Sequence, residues 1–131
     1  MCGIAGEFRF GAASSGANWS EISAMMERRG PDDSGVWSED NCCTLVFRRL
    51  SILDLSSDGH QPMISHDQRY VLVFNGELYN FREIRRELSS VGVQFRSSGD
   101  TEVVLYALIE WGKSARYLPK DFIASLFEEK K

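Results

Sequence analysis

Long apolar runs, a basic excess and a paired set of cysteines are all missing from this chain of 131 residues. No stretch approaches the roughly 20 consecutive apolar residues of a membrane-spanning helix. No positively charged start leads into an apolar segment, so neither a membrane partner nor a signal peptide is expected. Lys+Arg number 15 against 19 Asp+Glu, for a formal net charge of −4. That balance argues against the basic stripe of a nucleic-acid-binding domain and identifies no partner by itself. The three cysteines, Cys2, Cys42 and Cys43, are odd in number, and two are adjacent. Such spacing builds neither a disulfide framework nor a CxxC metal site, so no metal is expected. Reduced thiols and a cytoplasmic location are the default expectation. Internal repeats, linkers and low-complexity tracts are likewise missing.

What is present suits one globular domain. Hydrophobic residues make up 43% and charged residues 26%, ordinary values for a soluble fold. A chain of this length buries about two-thirds of its unfolded surface, enough for a real core. Residues 11–18, "GAASSGAN", read as a loop. Asn18 then caps a helix, with Glu21 at the capping-box position, Ile22, Met25 and Met26 as the apolar face, and Gly30–Pro31 as the stop. "CCTLVF" (42–47), "LSILDL" (50–55), "YVLVFN" (70–75) and "VQF" (93–95) read as strands. The third of these is apolar enough to be buried on both faces. Residues 80–92 form a helix capped by Asn80, with Phe81, Ile84, Leu88 and Val91 inward and Gly92 as the end. A further helix spans about 100–111, capped by Asp100, with Val104, Leu105, Leu108 and Trp111 inward. Strands cluster rather than alternate strictly with helices, which favours an α+β fold in layers. The last stretch holds no evident strand, and Asp121 could cap one more short helix.

Cys2 directly follows the initiator methionine. Methionine is readily trimmed before a small residue, and Cys2 would then carry a thiol and a free α-amine on one carbon. An α-amine has a pKa of about 7.7–8.0, so part of it is neutral at pH 7 and can accept a proton. A thiol near pKa 8.5 is a strong nucleophile once ionised. One terminal residue thus supplies nucleophile and base, the logic of N-terminal nucleophile enzymes. Taken alone, Cys2 is better read as an incidental cysteine at a frayed terminus.

Its company changes that reading. "MCGIAG", "RRGPDDSG", "RRLSILDLS", "GHQPM", "NGELYN" and "SSGDTEV" follow one another in this order. Together they resemble the class II glutamine amidotransferases, most closely the glutaminase domain of asparagine synthetase, over about residues 2–112. The resemblance implies a four-layer αββα sandwich of the N-terminal nucleophile hydrolase type, with L-glutamine as substrate. It implies that Cys2 attacks the side-chain carboxamide, and that Asn75 (side-chain amide) and Gly76 (backbone N–H) form the oxyanion hole. By the family register Arg49, with Arg48 as the rival, clamps the substrate carboxylate. Asp100 and Glu77 match the ammonium side, and Leu53 offers backbone contacts. Without the resemblance, Asn75–Gly76 is a plain turn after a strand, Asp100 a helix cap and Arg49 a solvated charge.

No cofactor is implied for the glutaminase half. ATP and Mg²⁺ would belong to a separate synthetase domain or subunit, whose "SGGxDS" loop is not in this chain. The family's usual histidines are replaced by Arg28 and Phe47. Residues 113–131 read as a divergent tail where the family continues into further strands. A domain truncated on its C-terminal side, with an uncovered sheet, is therefore the expectation. The alternatives are a non-catalytic remnant or glutamine-binding module, and an amidotransferase of the same class with another ammonia acceptor.

Overall fold

Two antiparallel sheets of three strands each organise the protein. The computed structural model describes residues 1–39 and 42–112, and the backbone of 123–128. The first sheet has β1 (Gly3–Phe8) and β2 (Asp33–Glu39) on either side of β3 (Cys43–Arg49). The second has β4 (Met63–Ile64) and β6 (Ile123–Glu128) on either side of β5 (Tyr70–Asn75). Helix α1 (Trp19–Met25) follows β1, while α2 (Phe81–Ser90) and α3 (Thr101–Trp111) follow β5. This is an α+β arrangement, as expected.

The period of two along β5 explains the layering. Val71 and Val73 pack against Cys43, Leu45 and Phe47 of β3, which closes one sheet onto the other. Leu72 and Phe74 point the other way, onto Ile84 and Leu88 of α2 and Val103, Val104 and Ala107 of α3. Burying each of these larger side chains is worth about 1.5–3 kcal/mol. Helix α3 lies in the thick of this second core, where Val103, Val104 and Ala107 are all 0% exposed. Phe47 is also 0% exposed.

Several local expectations fail for identifiable reasons. Residues 50–55 form a loop, because side chains satisfy their backbone: the guanidinium of Arg49 donates to Asp54 O and Ser56 O, and the Asp54 carboxylate accepts from Ser56 N. Residues 93–95 form no strand either. Val93 N donates to Leu88 O, closing the end of α2, and Phe95 packs edge-on to Tyr106. Strand β2 went unread because "DSGVWSE" is poor in strand formers; pairing with β3 from Asp33↔Arg49 to Glu39↔Cys43 holds it. The C-terminal stretch contains a strand after all. β6 pairs with β5 from Tyr70↔Glu128 to Asn75↔Ile123, so β5 is hydrogen-bonded on both sides. Asp121 lies outside the described residues. Asn18 does cap α1, accepting from Glu21 N at 3.2 Å. Met25 and Val91 face solvent, however, at 80% and 64% exposure.

Gly35 shows how closely β2 meets the segment after β3. A Cβ there would lie 2.0 Å from Gln61 O, a backbone atom that cannot swing away. Gly35→Ala is expected to destabilise the fold by about 1–3 kcal/mol, as overpacking does. A urea midpoint equal to that of the parent would refute it.

Candidate active site

The site is assembled from the ends of strands in both sheets. Strand β1 pairs with β3 from Gly3↔Arg48, so Cys2 is delivered beside Arg49 and Leu50. The Leu50 N–H donates to Cys2 Sγ at 3.3 Å, and Sγ lies 3.7 Å from Leu50 O. Strand β5 delivers Asn75 from the second sheet, with Gly76 and Glu77 exposed after it.

Alternation along β3 separates the two candidate arginines. Arg49 shares a side with Cys43, Leu45 and Phe47, and is 8% exposed. Its Nη1 donates to Ser56 O at 2.7 Å and its Nη2 to Asp54 O. Gly59 makes room for it, since a Cβ there would lie 2.1 Å from Nη2. Arg48 faces the opposite way, donates from Nε to Gly30 O at 3.0 Å, and pairs with Glu27 at 3.5 Å. Arg49 is thus the arginine that reaches the cavity.

Asp100 stands at the N-cap position of α3, but its side chain makes no cap bond. Its Oδ2 accepts instead from Leu78 N at 2.9 Å, which ties α3 to the loop after β5. Burial pushes this carboxyl above the usual carboxylate range. The Leu78 N–H opposes that shift, and the nearby charge of Glu77 adds to it. Burial therefore makes the ionised form costly unless a cation arrives.

Cys2, Arg49, Leu53, Asn75, Gly76, Glu77 and Asp100 all line one cavity of about 160 Å³. Met1 lines it too. Leu53 is 54% exposed at its rim. Cys43 is buried away from it, and burial pushes its thiol up to about 11, too high to be a reactive thiolate at neutral pH. His60 stays outside the lining and bonds Asp33 through Nδ1 at 2.6 Å.

Three buried polar residues around this cavity escaped the sequence reading. Gln61 brackets the backbone of Phe74: Oε1 accepts from its N at 2.7 Å and Nε2 donates to its O at 3.3 Å. The Gln61 side-chain amide thus extends the β4–β5 pairing as far as Phe74, next to Asn75. Glu102, 2% exposed, accepts from Arg96 N, Ser97 N and Ser97 Oγ, which fixes the loop ahead of Asp100. Asp54, 7% exposed, accepts from Ser56 and Ser98. Burial pushes its carboxyl up, but those hydrogen bonds outweigh burial and hold it below the usual range. All three sit inside the quoted motifs, and that position was the signal available in the sequence.

A family model described as a glutamine amidotransferase domain matches residues 1–130. Asparagine synthetase [glutamine-hydrolyzing] 3 of Bacillus subtilis is 35% identical over 136 residues, covering 100% of this chain and 22% of that protein. Its paralogue, asparagine synthetase [glutamine-hydrolyzing] 1, is 38% identical over 109 residues, covering 80% of this chain and 17% of that protein. Asparagine synthetase B [glutamine-hydrolyzing] of Escherichia coli is 38% identical over 114 residues, covering 86% of this chain and 20% of that protein. The chain spans about a fifth of the length of these curated relatives. Among the described residues, no helix is long and apolar enough to cross a membrane. With one family model running through both sheets and the cavity between their strand ends, this chain belongs to the glutamine amidotransferase domain family.

Proposed function

We propose that the cavity binds L-glutamine and that Cys2, freed of Met1, hydrolyses its side-chain amide. One observation carries this reading: a half-buried thiol, a buried guanidinium and a buried carboxylate face one small cavity. Arg49 has N–H groups beyond those given to Asp54 and Ser56, and a guanidinium forks onto a carboxylate. Asp100 gains from an ammonium what burial costs it. Glu77 adds negative charge on the same side, and Leu53 closes the rim. The substrate amide is thereby directed towards Cys2.

The chemistry then balances within the chain. The α-amine of Cys2 takes the thiol proton, and Sγ bonds the amide carbon. Negative charge gathers on the carbonyl oxygen, which Asn75 Nδ2 and the Gly76 N–H stabilise. The C–N bond breaks, and the nitrogen leaves as ammonia with the proton held by the amine. Water adds to the γ-glutamyl thioester, the C–S bond breaks, and glutamate departs with the thiol restored. No cofactor takes part.

The relatives' names extend the reading to asparagine synthesis, in which the ammonia would amidate an activated aspartate. ATP and Mg²⁺ belong to that synthetase half, and no residue of this chain is assigned to them. The reading also makes the fold the four-layer αββα sandwich. Helix α1 would be the outer layer, with Glu27 and Gly30 of the turn that follows it meeting Arg48 on the side of β3 turned away from the cavity.

The test is hydrolysis by purified protein with Cys2 as its verified first residue. Glutamate and ammonia are expected in equal amounts, and 6-diazo-5-oxo-norleucine is expected to label Cys2. No glutamate, or label on Cys42 or Cys43, would refute the reading.

A further inference from the structure

Asp54 is a buried carboxylate that makes no ion pair among the described residues. Its charge is satisfied by donors from both walls of the cavity. Oδ1 accepts from Ser56 N at 2.8 Å and from Ser56 Oγ at 2.5 Å, within its own loop. Oδ2 accepts from Ser98 N at 3.0 Å, across 44 residues of chain. Its backbone oxygen receives Nη2 of Arg49. Ser98 is followed by Gly99 and Asp100, and a Cβ on Gly99 would come within 3.2 Å of Asp54 Cβ.

A residue that merely capped its own loop would need Ser56 alone. The other bonds to the backbone of the 96–99 segment come from the helices on its own side, while the Arg96 side chain reaches Ile64 O of β4. Arg85 of α2 donates to Ser97 O at 3.0 Å and Gly99 O at 2.8 Å, and Glu102 of α3 accepts from Arg96 N and Ser97 N. Asp54 ties that segment across the cavity to the loop that seats the guanidinium.

The geometry points to Asp54 as a positioning residue that sets the separation between Arg49 and Asp100, and so selects substrates carrying both an α-carboxylate and an α-ammonium. The inference rests on the glutamine reading above. Its consequence is selectivity: loosening the strut weakens simultaneous engagement of both ends, while an amide held by one end is insensitive to it. The reacting thiol and Asn75 stand apart from the strut's hydrogen bonds, so turnover of bound substrate is preserved.

Asp54→Asn keeps the shape but replaces one acceptor with a donor, which repels Ser98 N or Ser56 N. With glutamine, KM is expected to rise at least about tenfold while kcat stays within about threefold, the pattern of lost binding without lost transition-state contacts. Against 4-aminobutanamide, which lacks only the carboxylate, and glutaramic acid, which lacks only the ammonium, kcat/KM is expected to change less than about threefold. The preference for glutamine over both therefore falls about tenfold. Gly99→Ala provides the second variant, because it widens the same gap by a few tenths of an ångström without removing a hydrogen bond. It is expected to cause the same selective rise in KM, and it carries the test if Asp54→Asn does not fold. An unchanged glutamine preference in the folded variants overturns the proposal, as does an equal loss on all three amides. If the parent itself fails to hydrolyse glutamine, the glutamine reading falls first and this inference with it.

Discussion

Cys2→Ala is expected to abolish glutamine hydrolysis, a loss in kcat of about a millionfold, the order seen when a hydrolase loses its nucleophile. Glutamine affinity should stay within about threefold. The reason is a division of labour within the cavity. Arg49 and Asp100 are held by Ser56 O, Asp54 O and Leu78 N, and none of these contacts involves the thiol. The sulfur's own recorded partner is the backbone of Leu50. Cys2 is half-buried and packs on the edge of the sheet-to-sheet core, so removing its sulfur leaves only a small gap there. Calorimetric titration of the alanine variant with glutamine, alongside glutamate release, separates the two effects. A turnover within about tenfold of the parent would mean that another group attacks the amide.

Asn75→Ala is expected to lower kcat by about 100–1,000-fold with little change in KM, because an oxyanion donor acts on charge that exists only in the transition state. The substitution suits this test. Asn75 is half-buried at the end of β5, and its strand pairing with Ile123 runs through the backbone. Stability should therefore change by less than about 1 kcal/mol. A variant that instead raised KM with kcat intact would place Asn75 in ground-state binding and leave the oxyanion to Gly76 alone.

Much of this was legible in the chain, and the parts that were not depend on contacts that exist only once the chain has folded. "YVLVFN" announced a strand buried on both faces, and it is one, because an unbroken apolar run has no side to give to water. The glutamine motifs named residues that the fold gathers on one cavity. Arg48 and Arg49 stayed ambiguous by composition, and the strand register with Gly3 and Asp33 separates them. "LSILDL" misled because its residues are good strand formers, whereas its shape is set by Arg49 and Asp54 side chains bonding to its backbone. Propensity counts residues and does not see such bonds. β6 was missed for the opposite reason: a short polar-ended segment becomes a strand through the partner it finds in β5. Gln61 and Asp54 in loops, and Glu102 in the first turn of α3, were passed over because polar side chains look solvent-facing until the chain is folded around them.

Strand β5 has a further consequence for how this molecule comes apart. Its side chains alternate between two cores, with Val71 and Val73 in one and Leu72 and Phe74 in the other. A fluctuation that opened only the sheet-to-sheet core would strip half of β5 of its packing while the helices still gripped the rest, and the reverse holds for the helical core. Each half-stripped strand exposes two large apolar side chains, at about 1.5–3 kcal/mol apiece. Partial opening is therefore penalised from both sides, and the two halves melt as one cooperative unit. Asn75 ends that shared strand. Destabilising substitutions far from the cavity should therefore lower the fraction of competent molecules and leave the turnover of each surviving molecule intact.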